Sequence, residues 1–290
     1  MKVDDFQDHR STLLGLAYRM LGSMWDAEDV VQDAYVRWSS SERDDVRDPR
    51  AYLMTTVIHL CMDRRTSAQA QRETYPGPWL PEPVATDMLG PLETAEQRDT
   101  VSYATLHMME RLTPPERAVF VLRQAFEFGY DDIAPVVGSS AATCRQLHRR
   151  ALDKLEGGRD RFTPDRTEHA RLLTAFVEAA RLGDLATLTE LLSDDVVAWN
   201  DGGGRVRAAR LPIRGRDRVI AFVLGLVRRY PTGRGRLIEA NGETALRVAV
   251  DGADQYVAVV VRDGRITGIY AVLNPDKLTR LSAHDGRAPG

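Results

Sequence analysis

The chain has 290 residues, which at roughly 150 per domain predicts about two domains and a core that needs no disulfide or metal staple. With 43% hydrophobic and 28% charged residues, the composition excludes disordered, collagen-like and membrane-spanning classes. The formal net charge of -3 argues, taken alone, against a nucleic-acid binder. The longest apolar run, Val219 to Val227, is about half of a bilayer span, and the acidic start is no secretory signal. Cys61 and Cys144 fit neither a disulfide framework nor a zinc site, so a cytoplasmic location is expected, with no metal and no cofactor.

Residues 1–72 read as a small helical bundle. Leu13, Leu14, Ala17, Tyr18 and Leu21 recur at helix spacing, as do Val30, Val31, Ala34, Tyr35 and Trp38, and then Tyr52, Leu53, Thr56, Val57, Leu60 and Cys61. Asp26 is the expected cap of the second helix, and Asp48-Pro49 starts the third with proline at the first helical position. Residues 73–93 hold five prolines and four acidic residues with no basic one, the composition of a linker. Their Trp79-Leu80 pair is unusual for a spacer and predicts docking on another surface.

Residues 94–162 return to helix. Thr113-Pro114-Pro115-Glu116 is a capping box. Two helices flank Gly138-Ser139-Ser140, the second running from about Ala141 to Leu155, in a helix-turn-helix pattern. Pro135 is expected to kink or shorten the first of them. The charge changes sign at the turn: residues 94–139 sum to -3 and residues 140–166 to +3. Arg145 and Arg149 share a face. Ala141, Ala142, Thr143, Gln146 and His148 complete a surface with short residues for close approach and arginines for phosphates.

Residues 166–281 change class, to helices packed on a curved antiparallel sheet. Asn241-Gly242, Asp251-Gly252 and Asp263-Gly264 are hairpin turns between β-rich runs, and a helix is expected at Val219 to Arg229. Residues 282–290 read as a polar tail. Asp195, Asp201 and His169 are the only acid–base candidates worth naming, and they form no recognisable constellation. Asp201 before Gly202-Gly203-Gly204 reads as a turn former. The run Arg205, Arg207, Arg210, Arg214, Arg216, Arg218 reads as a solvated face, with nucleic-acid contact as the lesser alternative.

Three sets of residues carry a resemblance. Ala27-Glu28-Asp29-Val30-Val31-Gln32-Asp33-Ala34-Tyr35, Asp48-Pro49-Arg50-Ala51-Tyr52-Leu53 and Asp63-Arg64-Arg65 resemble region two of extracytoplasmic-function sigma factors. Leu112 to Leu122 with the helix-turn-helix resembles their region four. Trp79-Leu80-Pro81-Glu82-Pro83, Asp201-Gly202-Gly203-Gly204 and Asn274-Pro275-Asp276-Lys277-Leu278 resemble the marks of a subgroup with a fused C-terminal SnoaL-like domain, a nuclear-transport-factor-like cone.

The resemblance implies a multidomain fold: two all-α sigma domains, at 1–72 and 94–162, and an α+β cone at 166–281. It implies a non-enzymatic initiation factor with core RNA polymerase and promoter DNA as partners, regulated in cis without a separate anti-sigma factor. Asp29, Gln32, Asp33 and Val36 would bind the clamp of the β′ subunit. The loop Ser39 to Asp48 with Tyr52, Thr55, Thr56, His59, Arg64 and Arg65 would read the −10 element, and His59 stands where asparagine is usual in the family. The helix-turn-helix would read the −35 element and dock on the β flap. The three subgroup motifs would regulate through interdomain contact. A small-molecule ligand of the cone stays open, as does the alternative of a ligand-sensing or enzymatic protein with an ordinary helix-turn-helix.

Overall fold

A computed structural model describes residues 2–40, 46, 48–89, 94–156, 166–230, 234–250 and 253–283. Two compact units emerge: residues 1–73 with 86–159, and residues 74–85 with 160–290. The two helical segments of the sequence thus form one unit, and most of the proline-rich segment folds with the other.

The helical unit begins with α1 (Lys2–Leu21), α2 (Met24–Ser40) and α3 (Pro49–Glu73). The cap of α2 is Ser23, whose Oγ accepts from the Asp26 N–H at 3.3 Å, so Asp26 lies in the first turn and is not the expected cap. Asp48 caps α3 as expected, accepting from the Ala51 N–H at 3.0 Å. Leu13, Leu16, Val30, Ala34, Leu53 and Val57 are buried between the three helices. Gly15 admits the turn at Thr86–Leu89, since a Cβ there would stand 2.7 Å from the Leu89 carbonyl oxygen.

Next come α4 (Ala95–Asp99), α5 (Tyr103–Met108), α6 (Pro114–Ala125), α7 (Tyr130–Val136) and α8 (Ala141–Glu156). The Thr113 N–H donates to the Glu116 carboxylate at 2.9 Å, closing the predicted capping box. Pro135 sits inside α7, which lasts only 7 residues. The apolar face of α6 (Val119, Phe120, Leu122) packs in the interior together with Arg117, which is wholly buried.

Charge holds this interior as well as apolar contact. Glu110 accepts from Arg117 at 2.5 Å and from Arg65 at 3.4 Å, and also pairs with Arg72. Arg117 Nε donates to the Arg19 carbonyl at 2.8 Å. One carboxylate between α5 and α6 therefore gathers two arginines of α3 and one of α6.

The second unit contains α9 (Arg166–Leu182), α10 (Leu185–Leu191), β1 (Leu192–Asp201), β2 (Ile213–Arg214), α11 (Arg216–Arg229), β3 (Arg234–Ala240), β4 (Glu243–Val250), β5 (Ala253–Arg262), β6 (Arg265–Val272) and α12 (Thr279–Ala283). The strands form one sheet in the order β2-β1-β6-β5-β4-β3. Its β1–β6 pair is parallel, so the sheet is mixed, in place of the antiparallel sheet expected from the hairpin turns. The reason lies in connectivity: turn residues report only sequence neighbours, whereas β1 and β6 are brought together by a long crossover. Asn241 (φ 55) with Gly242 (φ 74), and Asp263 (φ 48) with Gly264 (φ 69), make two of the three predicted hairpin turns, with left-handed backbone at both residues of each. Asp251-Gly252 and the tail 284–290 lie outside the described residues. Helices α9 and α11 cover one sheet face, burying Leu172, Phe176, Val219, Ala198, Val259 and Ile269 in one core. Helices packed on one face of a single sheet are the α+β arrangement expected of the cone at 166–281.

Candidate nucleic-acid interface

On α2, Val30, Val31, Ala34 and Trp38 face the bundle. Trp25, Asp29, Gln32 and Val36 follow one another at i, i+4, i+7 and i+11 and are all exposed, with Asp33 beside them. Trp25 is 53% and Val36 54% exposed, which leaves a mixed apolar and acidic stripe facing outward. Sequence reading missed Trp25, although its position one turn before Asp29 was the available signal. Arg64 of α3 steadies the stripe, donating to Asp26 at 2.9 Å and to Asp29 at 2.8 Å.

The α3 candidates divide into two groups. His59 is exposed, with Nε2 2.7 Å from the Val136 carbonyl oxygen. Tyr52 is half-buried with its ring 5.6 Å from that of Trp38, and Thr55 is half-buried, its hydroxyl donating to the Ala51 carbonyl at 2.8 Å. Thr56 and Arg65, expected on the DNA side, are buried instead. Thr56 donates back to the Tyr52 carbonyl at 2.9 Å. Arg65 continues the inward stripe of Met54, Ile58 and Cys61, so helix geometry carries it inward, where Glu110 and the Met20 and Leu112 carbonyls receive its donors. Of the loop named with this helix, 41–45 and 47 lie outside the described residues.

On α8 the inward positions are Cys144, His148, Ala151 and Leu155. The outward ones are Ala142, Thr143, Arg145, Gln146, Arg149 and Arg150, with Ala141 half-buried at the start. The Ser140 hydroxyl accepts from the Thr143 N–H at 3.1 Å and starts the helix. His148 was expected among the DNA contacts. It is buried, with Nδ1 2.9 Å from the Tyr130 hydroxyl and Nε2 3.2 Å from Gln124 Nε2, so both ring nitrogens are engaged. Burial, and then Arg123, lowers its pKa, which keeps it neutral. What remains outward is short residues first and arginines after, the order that major-groove reading requires. Arg149→Ala is expected to weaken duplex binding and, for a phosphate contact, to reduce the salt slope by about one. A sodium chloride titration of promoter binding measures it.

The proline-rich segment is the other site. Leu80, Pro81, Glu82, Pro83, Val84 and Ala85 are all buried, and Trp79 is half-buried. At one end, the wholly buried Asp201 accepts from the Tyr75 hydroxyl at 2.6 Å, the Leu80 N–H at 2.9 Å and Lys277 Nζ at 2.7 Å. It also accepts from the Gly203 N–H at 3.0 Å, so the predicted turn is real but is the smaller part of its role. Burial, followed by Asp201, pushes the Tyr75 hydroxyl pKa up. Lys277 Nζ donates to the Leu80 carbonyl and lies 4.2 Å from the Trp79 ring centroid. Asn274 Nδ2 donates to the Tyr75 oxygen at 3.0 Å, and the Asn274 side-chain oxygen Oδ1 starts the turn Pro275–Lys277 by accepting from the Asp276 N–H. Leu278 is buried beyond it, and the exposed Asp276 pairs with Arg205. A Cβ at Gly203 would stand 2.2 Å from Asn274 Nδ2, and one at Gly202 2.5 Å from the Val206 carbonyl oxygen. At the other end, Val84 and Asn241 exchange hydrogen bonds of 3.1 and 3.0 Å, and Ala85 bridges Ala240. Tyr75 and Asn241 were not anticipated. Glu82 is buried near Arg280 of α12 at 3.9 Å.

The acid–base candidates of the cone do not meet. Asp195 is exposed on β1, Asp201 is enclosed by the clasp, and His169 is buried against the Val259 carbonyl at 3.0 Å, its pKa lowered by burial. Among the described residues no His, Cys, Asp and Glu side chains cluster as metal ligands, and no helix is long and apolar enough to cross a membrane.

Two family models match the chain: Sigma-70 region 2 over residues 6–71 and Sigma-70, region 4 over residues 103–155. The ECF RNA polymerase sigma factor SigJ of Mycobacterium tuberculosis is 37% identical, with 99% of this chain and 96% of that protein aligned. The probable ECF RNA polymerase sigma factor SigI of the same species is 34% identical over 96% and 95%. The crystal structure of Mycobacterium tuberculosis SigJ superposes with a TM-score of 0.78, covering 96% of this chain and 98% of that one at 35% identity. With outward-facing region-two and region-four surfaces and this full-length likeness, the chain belongs to the extracytoplasmic-function RNA polymerase sigma factors.

Proposed function

We propose that this sigma factor binds core RNA polymerase through the α2 stripe, reads the −35 element with the outward face of α8, and helps open the −10 element with α3. An acidic stripe with an apolar anchor suits a basic partner helix. The cone acts in cis as a regulatory module, in the cytoplasm, with no separate anti-sigma factor and no reaction of its own. A ligand in the cone is a further input to the same module. The observation that carries this reading is the clasp: residues 74–85, which lie in sequence between the two DNA-reading segments, are pinned on the cone by Asp201 and Lys277. Docking at that point fixes the chain length available between the −10 and −35 readers.

Reconstitution of the full chain with core polymerase and promoters of varied spacer length tests it. Lys277→Met keeps the aliphatic stem and removes the clasp's cation. Transcription from the best-spaced promoter should fall about fivefold or more, near 1 kcal/mol, while core binding stays intact. Unchanged transcription and unchanged spacer preference would sink the proposal for the clasp, and failure of the wild-type chain to bind core would sink the reading as a whole.

A further inference from the structure

The connection from β1 to α11 is a strip of unusual charge. Residues 205–218 hold six arginines and one acidic residue, Asp217, a net +5 against +3 for residues 167–290 as a whole. The rest of that region is therefore net acidic, and the positive charge is concentrated on one segment. Its edge strand β2 closes one side of the sheet, paired only with β1.

Two of the six arginines are accounted for. Arg205 pairs with Asp276 at 3.1 Å and Arg216 with Asp194 at 2.6 Å. Arg207, Arg210, Arg214 and Arg218 are exposed and make no ion pair among the described residues. The nearby acids Asp194 and Asp276 are already engaged, and Asp217 stands as a single charge within the segment. Arg218 also lies in the first turn of α11, where the helix dipole disfavours cations, so fold stability does not explain its placement.

We propose that this strip is a sequence-independent contact for the phosphate backbone of duplex DNA, placed on the cone and separate from the −10 and −35 readers. Guanidinium groups match phosphate geometry. Residues 202–218 contain no aromatic side chain, so the strip lacks the stacking platforms that a single strand requires, which selects the duplex. A contact of this kind lends affinity to a factor whose own net charge is -3 and leaves sequence preference to α8.

The test replaces Arg207, Arg210, Arg214 and Arg218 together with serine in the full chain. All four are exposed, and circular dichroism checks that the fold is kept. Binding to a promoter duplex and to a promoter-free duplex of equal length is measured across a sodium chloride series, for the free chain and for the holoenzyme. The expected result is a roughly ten- to hundredfold loss on both duplexes at low salt and a salt slope smaller by about 2 to 4, at about 0.9 per phosphate contact. The preference for the promoter is kept. An unchanged slope overturns the proposal. So does a loss that appears only as weaker core polymerase binding, which would make the strip a protein contact. Failure of the sigma-factor reading would look different: the wild-type holoenzyme would show no promoter preference, while the slope difference would still be read on the free chain.

Discussion

Glu110→Gln should cost the helical unit about 3–5 kcal/mol, because it leaves buried guanidiniums without their counter-charge. Arg117 is wholly buried and Arg65 only 7% exposed, and a single carboxylate pairs both together with Arg72. Arg117 Nη2 already lacks an acceptor among the described residues, and without Glu110 the side chain keeps only the neutral Arg19 carbonyl. The melting transition of the full chain should drop by about 10 °C, at roughly 2–4 °C per kcal/mol for a unit of this size. A shift below about 2 °C would show that the arginines are satisfied elsewhere.

Acid should act on the same group. Burial by itself would raise the Glu110 pKa, but Arg117, Arg65 and Arg72 together outweigh it and hold it below the usual carboxylate value. Its folded pKa lies under its unfolded one, so its contribution is present above about pH 4.3 and is lost as pH falls through the native value. Thermal melts between neutral and acidic pH should show this loss in the wild type and a smaller one in Glu110→Gln. The network joins α3 to α6, so it also holds the two DNA-reading segments in one unit and keeps Arg65 inside.

Asp201→Ala is expected to release the proline-rich segment from the cone. The carboxylate is wholly buried and receives the Tyr75 hydroxyl, the Leu80 and Gly203 N–H groups and Lys277. Its removal takes the counter-charge from Lys277, whose side chain is 13% exposed, and takes the acceptor from the buried Leu80 N–H. Losing one partner of such a pair costs about 3–5 kcal/mol. The residues between Tyr75 and Ala85 should become open to limited proteolysis in the variant and stay resistant in the wild type. Asp201→Asn keeps the shape and loses the charge, so it should show an intermediate cleavage rate. Equal cleavage of all three chains would mean that the segment is held by Val84, Ala85 and Asn241 alone.

Much of the local structure was legible in the sequence because its causes are local. Asp48-Pro49 and Thr113 to Glu116 start helices through hydrogen bonds that reach only three residues along the chain. Asn241-Gly242 and Asp263-Gly264 make hairpins through backbone dihedrals of their own. The outward stripes of α2 and α8 follow from helical period, which is why Asp29, Gln32, Val36, Arg145 and Arg149 lie on exposed faces.

Tertiary structure decided what those groups touch. The resemblance set Arg65 on the DNA side and the polar, basic start of α8 did the same for His148, yet each lies on an inward stripe and meets a partner from another segment, Glu110 for Arg65 and Tyr130 for His148. The parallel pairing of β1 with β6 and the gathering of two helical segments into one unit likewise leave no mark in any short window. Asp201 shows the division most clearly. Locally it forms a turn with Gly203, two residues away, and the sequence determined that much. Its partners Tyr75 and Leu80 stand 126 and 121 residues away, and only a folded sheet brings a buried carboxylate to them. A buried charge must find its donors wherever the fold places them, and composition and spacing carry no record of that distance.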